Sequence, residues 1–228
     1  MPWGRKNCGL AAAAVAVTVV LVLSGCGGGS DKKSDSSSSD SKSSASKLSA
    51  ALLTLTDLPA GYNQVDNPPD SKVVATSNQE CSHIFSDTPG QGMGNVGKPA
   101  AEEVRTFNDD SGGNLGDIVS EYSDSSAGAQ LIAQLQAATA QCRAWNEKAD
   151  DGTVTAFTLQ SQPAPGPNSY RVLMTAQVQG NPPQRFLGDS VVIAKGAHVA
   201  QVVLGSEQPA ELSDQIIQAV SNKLNALG

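Results

Sequence analysis

Three short segments near the carboxyl end of the chain alternate between apolar and polar residues, and this pattern constrains the fold most. Across residues 170–178 every even position is apolar, and the odd positions are polar apart from Leu173. Glycine-containing turns separate this segment from strand-like runs over 186–194 and 198–204. The pattern predicts three sequential antiparallel strands, which form a meander. A sheet of this kind buries one face and needs a helix layer on that face.

Apolar residues that recur every three or four positions predict three helices, over residues 48–57, 124–148 and 209–227. Trp145 falls on the inward stripe of the second helix, one turn after Cys142. Pro209 suits the first helical position of the third helix, because a helix needs no backbone N–H there.

Strand-like segments over 102–107 and 115–122 flank a linker of Asn, Asp, Ser and Gly, which predicts a hairpin. Shorter segments over 73–77 and 153–159 also have strand composition. We therefore predict a single α+β domain over residues 48–228. It consists of an antiparallel β-sheet packed by helices, with a ligand cleft between the sheet and the helix layer.

The first 25 residues have the parts of a secretory signal. Arg5 and Lys6 precede an apolar run of 14 residues, and the small pair Ser24-Gly25 comes directly before Cys26. The run is shorter than the roughly 20 residues of a membrane-spanning helix. This pattern predicts a lipoprotein signal peptide over residues 1–25, with a diacylglycerol and palmitate anchor on Cys26 that holds the chain on the extracytoplasmic face of the cell membrane. The alternatives are an ordinary signal peptide and an uncleaved anchor helix.

Residues 27–47 contain Gly, Ser, Asp and Lys but no aromatic and no large aliphatic residue. Such a composition cannot bury a core and predicts a disordered tether over residues 26–47. The whole chain has a formal net charge of −7, and loss of the signal peptide leaves 13 basic against 22 acidic residues. This excess argues against nucleic acid as a partner and against electrostatic docking on anionic lipid. We expect the chain to contact the membrane through its lipid anchor alone.

Four cysteines divide between three roles. Cys8 leaves with the signal peptide and Cys26 takes the lipid, so Cys81 and Cys142 remain in an oxidising compartment. An even pair in that setting predicts a disulfide between them. Two free buried thiols and a metal-binding pair are the alternatives.

Catalytic motifs are missing from the sequence, which has neither Gly-x-Ser-x-Gly nor His-Glu-x-x-His. His83 and His198 are the two histidines, and neither has an identifiable partner. We therefore assign no catalytic residue, no cofactor and no metal ligand. Asp189 lies in a strand rich in Val and Ile, where a buried carboxylate needs a partner. We expect Trp145, Asp189 and His198 at the ligand cleft; the alternatives are a core role for Trp145 and an outward-facing Asp189.

The segment from Leu52 to Tyr62 (LLTLTDLPAGY) resembles the opening of actinobacterial sensor-domain lipoproteins. The order that follows is Glu80-Cys81, a hairpin ending at Tyr122, and a Ser- and Ala-rich helix bearing Cys142 and Trp145. This order is similar to the family of the extracellular sensor domain of the receptor kinase PknH. The resemblance implies an antiparallel sheet packed by helices around a cleft, a binding or sensing role and a Cys81–Cys142 bridge. That family carries a second disulfide in its later strands, where this chain has no cysteine. No kinase domain is present either, so signalling would need a separate partner.

These observations predict a cell-surface lipoprotein with a ligand-binding or sensing domain and no catalysis of its own. The expected ligand is a cell-wall fragment, a lipid or a small hydrophobic molecule in a concave pocket. Two alternatives stay open. A protein-interaction or scaffold lipoprotein that acts on an envelope partner predicts an exposed apolar patch instead. An envelope hydrolase would use His83 or His198 as a general base.

Overall fold

Nine strands pair into one antiparallel sheet in the order β1-β3-β4-β9-β8-β7-β6-β5-β2. The computed structural model describes residues 38–66, 73–85, 96–180 and 182–227. The strands are β1 Tyr62–Val65, β2 Val73–Thr76, β3 Ala101–Asp109, β4 Asn114–Glu121, β5 Ala144–Ala149, β6 Val154–Gln162, β7 Ser169–Val178, β8 Gln184–Lys195 and β9 His198–Ser206. The helices are α1 Ser38–Ala51, α2 Gln79–Phe85, α3 Ala127–Gln141 and α4 Asp214–Asn225, with a 3₁₀ turn over Leu55–Asp57.

The predicted α+β class, the antiparallel meander and the β3–β4 hairpin are confirmed. The meander is longer than predicted, because β5 to β9 follow one another in sequence and are all neighbours in the sheet. Its last strand, β9, pairs with β4 and so joins the meander to the hairpin. Nearly every side chain of β9 is buried, as expected for a central strand with both faces covered.

Helices lie on both faces of the sheet, which corrects the expectation of one covered face. On the first face, α1 and α4 contact β3, β4, β8 and β9, and they enclose Val191 and Val202. On the second face, α2 and α3 contact β5 to β8 and enclose Val192 and Val199. The neighbouring residues Val191 and Val192 thus belong to different cores, because successive side chains of a strand point to opposite faces.

The predicted helix over residues 124–148 is wrong beyond Gln141. The helix α3 ends at Gln141, Cys142 has non-helical dihedrals, and Trp145 lies in β5. Trp145 lies three positions after Cys142, a spacing that fits one face of a helix, and the sequence alone therefore favours a continuous helix. Pairing of β5 with β2 and β6 overrides that local preference.

Two helix starts also differ from the sequence prediction. The helix α4 begins at Asp214 rather than at Pro209, because the Ser213 hydroxyl accepts a hydrogen bond from the Ile216 N–H and caps it. The helix α1 begins at Ser38, so the last ten residues of the predicted disordered tether are helical. The α1 helix packs into the first-face core from Leu48 onward, and the preceding Ser, Lys and Ala residues extend that anchored turn. The predicted signal peptide and Cys26 lie outside the described residues.

The sheet is curved, as its connectivity requires. Strands β1 and β2 are consecutive in sequence but lie at opposite edges of the sheet. The eight peptide bonds from Val65 to Val73 reach at most about 29 Å. Eight strand spacings in a flat sheet would separate the two edges by about 38 Å. The edges therefore approach each other, and one face of the sheet is concave.

A disulfide joins Cys81 in α2 to Cys142, directly after α3, with the two Cα atoms 5.4 Å apart. Both cysteines lie in the second-face core beside Ile84 and Trp145. The bridge therefore ties the short helix α2 to the end of α3.

Replacing Cys81 and Cys142 together by alanine is expected to lower the free energy of unfolding by about 2–4 kcal/mol. The crosslink closes a loop with a sequence separation of 61 residues, and its loss frees the unfolded chain. Urea denaturation followed by tryptophan fluorescence measures the change. Non-reducing peptide mapping of the wild type is the companion measurement, and two alkylatable thiols at these positions in the native protein would refute the bridge.

Candidate functional site

Part of the first face extends beyond α1 and α4, over β5, β6, β7 and the start of β8. Strand register shows which residues share that face, since they pair across the sheet in rows. One row contains Thr158, Thr175 and Leu187, and the next contains Asn146, Ala156, Gln177 and Arg185. A third row begins with Gln160 and Leu173 and passes beneath α4 at Asp189. We call the following residues the open floor: Asn146, Ala156, Thr158, Gln160, Leu173, Thr175, Gln177, Arg185 and Leu187.

The open floor is polar and accessible. Asn146, Thr158, Gln160, Gln177 and Arg185 are exposed, and the other four residues are half-buried. Its functional groups are amides, hydroxyls and a guanidinium. The neighbouring aromatic residues Trp145, Phe157 and Tyr170 point to the second face, where they belong to or pack on the core under α3. The floor therefore offers hydrogen-bonding groups with two leucines, Leu173 and Leu187, between them.

Arg171 stands where the open floor meets the layer formed by α4. Its Nε donates to Asp189 Oδ1 at 3.0 Å and its Nη2 donates to Asp189 Oδ2 at 2.6 Å. Asp189 is fully buried and also accepts the Leu212 N–H at 2.8 Å. The hydrogen bond to Asp189 raises the pKa of Arg171 above its ordinary value. Arg171 and Asp189 thus form a bidentate, partly buried ion pair that also holds the chain leading into α4.

The guanidinium of Arg171 keeps donors that this pair does not use. Its side chain is 16% exposed, and Glu211 Oε2 lies 3.8 Å from Nη2. Among the described residues, Nη1 has no hydrogen-bond acceptor. It is not fully buried, so it keeps some exposure to solvent. Because a buried carboxylate fixes the guanidinium plane, Nη1 is oriented before any ligand arrives.

A second buried carboxylate, Asp117, lies beneath α1 and α4 on the same face. Its Oδ2 accepts the Leu53 N–H at 2.5 Å, while Oδ1 is buried without a partner among the described residues. Burial raises the pKa of Asp117 to about 7, although the Leu53 N–H and the charge of Arg105 act in the opposite direction. Arg105 Nη1 donates to the Leu53 carbonyl at 2.5 Å. Both backbone groups of Leu53 are therefore bonded to ionisable side chains.

The chain next to Leu53 is fixed by a further charged pair. Asp57 Oδ2 accepts the Thr54 N–H at 2.7 Å and the Thr54 hydroxyl at 2.7 Å. The same oxygen lies 3.1 Å from Lys223 Nζ in α4. The link between α1 and the 3₁₀ turn is thus attached to β4, β3 and α4 by polar contacts. Asp117 and its surroundings were not singled out from the sequence.

The three residues predicted to line a cleft are not brought together. Trp145 is buried on the second face, where it stacks on Phe157 with ring centroids 5.0 Å apart and donates from Nε1 to Glu147 Oε1. Asp189 lies on the first face, so the sheet separates these two side chains. The core alternative for Trp145 therefore describes its position, and the outward-facing alternative for Asp189 is wrong.

His198 lies on the first face but far from Asp189. It pairs with Lys195 of β8, six residues beyond Asp189, which corresponds to about 20 Å along the strand. Its Nε2 is 3.9 Å from Glu121 Oε1 at this end of the sheet. The side chain of His83 lies outside the described side chains. Of the three predicted cleft residues, Asp189 alone touches the candidate site, and it does so through Arg171.

Across the described part of the chain, no group of three or more His, Cys, Asp or Glu side chains is arranged to hold a metal ion. None of the helices described is long and apolar enough to cross a membrane.

Comparison with known proteins gives a likeness in structure. No family model matches the chain, and no curated protein matches its sequence. Its fold is similar to that in the crystal structure of the extracellular domain of PknH from Mycobacterium tuberculosis, with a TM-score of 0.61 and 12% sequence identity. The similarity covers 80% of this chain and 95% of that domain. The predicted resemblance is confirmed for the fold, which this chain shares with a receptor-kinase extracellular domain.

Proposed function

We propose that this chain is an extracytoplasmic binding or sensing domain, anchored to the cell membrane by lipid on Cys26, that holds its ligand on the open floor beside α4. The observation that carries the proposal is the fixed guanidinium of Arg171 at the border of the floor, whose Nη1 has no acceptor among the described residues. Sites that bind polar ligands place a few such groups in advance. The likeness to an extracellular receptor domain supports a role outside the cytoplasm.

Binding without catalysis fits the chemistry of the described residues. The buried carboxylate of Asp189 is committed to Arg171 and a backbone amide, and Asp117 lies beneath the helix layer away from the floor. The hydrolase alternative would use His83 or His198 as its base. The side chain of His198 contacts Glu121 rather than the floor. A general base needs to reach the proton that it removes, and none of these groups is placed to do so on the floor.

The scaffold alternative predicted an exposed apolar patch. Among the described residues, Leu55 is the single large hydrophobic residue that is exposed, at 50%. One exposed leucine is ordinary for a protein surface. The polar floor therefore supports ligand binding better than apolar docking of a partner.

A block of the open floor tests the proposal. The full chain is incubated with a cell-envelope extract, washed and analysed by native mass spectrometry. We expect a bound adduct on the wild type and its loss in Thr158→Trp, because an indole in the middle of the floor occupies the ligand's place. Gln136→Trp introduces the same side chain on the exposed side of α3 and is the matched control.

The adduct is expected to remain on Gln136→Trp. Circular dichroism and the melting temperature show whether each variant is folded, and Thr175→Ser provides a mild floor variant that leaves the surface open. An adduct of equal abundance on all the folded variants would place binding elsewhere. Absence of any adduct on the wild type would contradict a binding role for material from the envelope.

A further inference from the structure

The carboxylate beneath the end of α1 is buried with one of its oxygens unpaired. Asp117 of β4 is 1% exposed and pairs across the sheet with Arg105 of β3 and Val202 of β9. Its Oδ2 accepts the Leu53 N–H, whereas Oδ1 has no hydrogen-bond partner among the described residues. Arg105 donates to the Leu53 carbonyl. An ionised carboxylate is costly at this position, because burial removes its water and one oxygen receives no donor.

Charged groups face Asp117 from three of the elements packed around it. Arg105 of β3 and Lys223 of α4 favour the ionised form of Asp117, whereas Asp57 of the 3₁₀ turn opposes it. Lys223 lies 3.1 Å from Asp57, so its charge is already matched there. The α1 helix presents buried leucines, and its Lys47 is exposed. Burial is the largest influence on Asp117 and raises its pKa to about 7.

The contacts that hold the end of α1 are separate from those that hold the rest of the domain. We call residues 45–53, the last turns of α1 and the residues after it, the latch. Its apolar side chains pack on the first face against β3, β4 and α4. The latch contributes no strand to the sheet, and α3 with the Cys81–Cys142 bridge belongs to the second-face core. Release of the latch therefore breaks no strand pairing and leaves the second core covered.

We propose that the latch is a proton-controlled device, which is docked while Asp117 carries a proton and leaves the intact sheet when Asp117 ionises in water. The inference goes beyond the proposed function and makes no use of the open floor. Its consequence is that an acidic exterior docks the segment that leads back toward the predicted anchor at Cys26, whereas a neutral exterior frees it.

Docking of the latch weakens as the pH rises. Between the ordinary pKa of 3.8 and the raised value of about 7, the docked state holds a proton on Asp117 that the undocked state releases. The ratio of undocked to docked molecules therefore increases about 50-fold from pH 5 to pH 7. Below this window both states are protonated and above it both are ionised, so the ratio changes little outside it.

Hydrogen–deuterium exchange of the full chain at pH 5, 6 and 7 tests the inference, with each rate corrected for the intrinsic pH dependence of amide exchange. Amides of the latch report on undocking, and amides of the central strand β9 report on opening of the sheet. We expect lower protection factors in the latch than in β9 at every pH. The protection of the latch should fall about 50-fold from pH 5 to pH 7. This fall should vanish in Asp117→Asn and persist in Asp124→Asn, the matched control at an exposed turn.

Three results would overturn the inference. Equal protection factors in the latch and in β9 would show that α1 opens only when the whole domain unfolds. A fall of the same size in Asp117→Asn would assign the pH dependence to another group. If that variant does not fold, the wild type still decides the question, because latch protection that is independent of pH would contradict a proton-controlled device. These outcomes leave the open floor untouched, since Thr158→Trp tests it separately.

Discussion

Asp117→Asn is expected to abolish a pH dependence of the wild type. The wild type should lose stability as the pH rises from about 4 to 7, and the variant should not. The pKa of Asp117 is raised from 3.8 to about 7 in the folded protein, mainly by burial. In that pH window the folded state holds a proton that the unfolded state has released, so stability falls as the pH rises. One pKa unit corresponds to 1.36 kcal/mol, and the full shift is therefore worth about 4 kcal/mol.

The sign of this effect distinguishes Asp117 from the surface carboxylates. Hydrogen bonds from Ser126 lower the pKa of Asp124, so its contribution to stability is lost as the pH falls through that lowered pKa. The two effects occupy different pH windows, above and below the ordinary Asp value. Asp124→Asn is therefore the matched control, with the same chemical change at an exposed turn.

Urea denaturation at several pH values between 4 and 8 measures the effect. We expect the free energy of unfolding of Asp117→Asn, relative to the wild type, to increase steadily by about 4 kcal/mol over this range. The asparagine amide needs an acceptor in the space beside Oδ1, so the offset between the two curves is less informative than their difference in slope. Parallel curves for the two proteins would show that Asp117 keeps an ordinary pKa.

Asp189→Ala is expected to lower the free energy of unfolding by about 3–5 kcal/mol. The substitution removes two hydrogen bonds from Arg171 and one from the Leu212 N–H, and it leaves a guanidinium that is largely buried without its partner. The segment that leads into α4 loses its attachment to β8 at the same time. Thermal and urea denaturation at pH 7 measure the loss.

Glu211→Ala provides the control for this change. Glu211 lies 3.8 Å from the same guanidinium but is 72% exposed, so its removal should change stability by no more than about 0.5 kcal/mol. The double variant Arg171→Leu with Asp189→Leu should recover most of the lost stability, since apolar residues can replace a buried ion pair. A loss below about 1 kcal/mol in Asp189→Ala would show that the pair does not hold α4.

Local sequence patterns predicted those elements whose pairing partners follow them directly in the chain. Alternation over residues 170–204 gave β7, β8 and β9, because a half-buried strand and a tight turn are both local features. The pattern failed at Trp145, where a three-residue spacing fits a helix and only the pairing with β6 selects a strand. Strand β5 therefore depends on tertiary structure that no local pattern contains.

The candidate site was predicted only in part. Asp189 was recognisable as a carboxylate in an apolar strand, and Asp117 between Leu115 and Ile118 carries the same signal, which was not used. Leu173, the exception to the alternation of β7, marks the face that becomes the open floor. The packing of α1 and α4 covers this face near Asp189 of β8 but leaves it exposed at β6. The sequence does not specify those contacts.

The role of the open floor is tested most directly by native mass spectra of Thr158→Trp and Gln136→Trp, recorded side by side after incubation with the same envelope extract. We expect the bound adduct on Gln136→Trp at the abundance seen with the wild type, and its absence from Thr158→Trp. Equal adducts on the two folded variants would contradict the central claim that this half of the sheet holds the ligand.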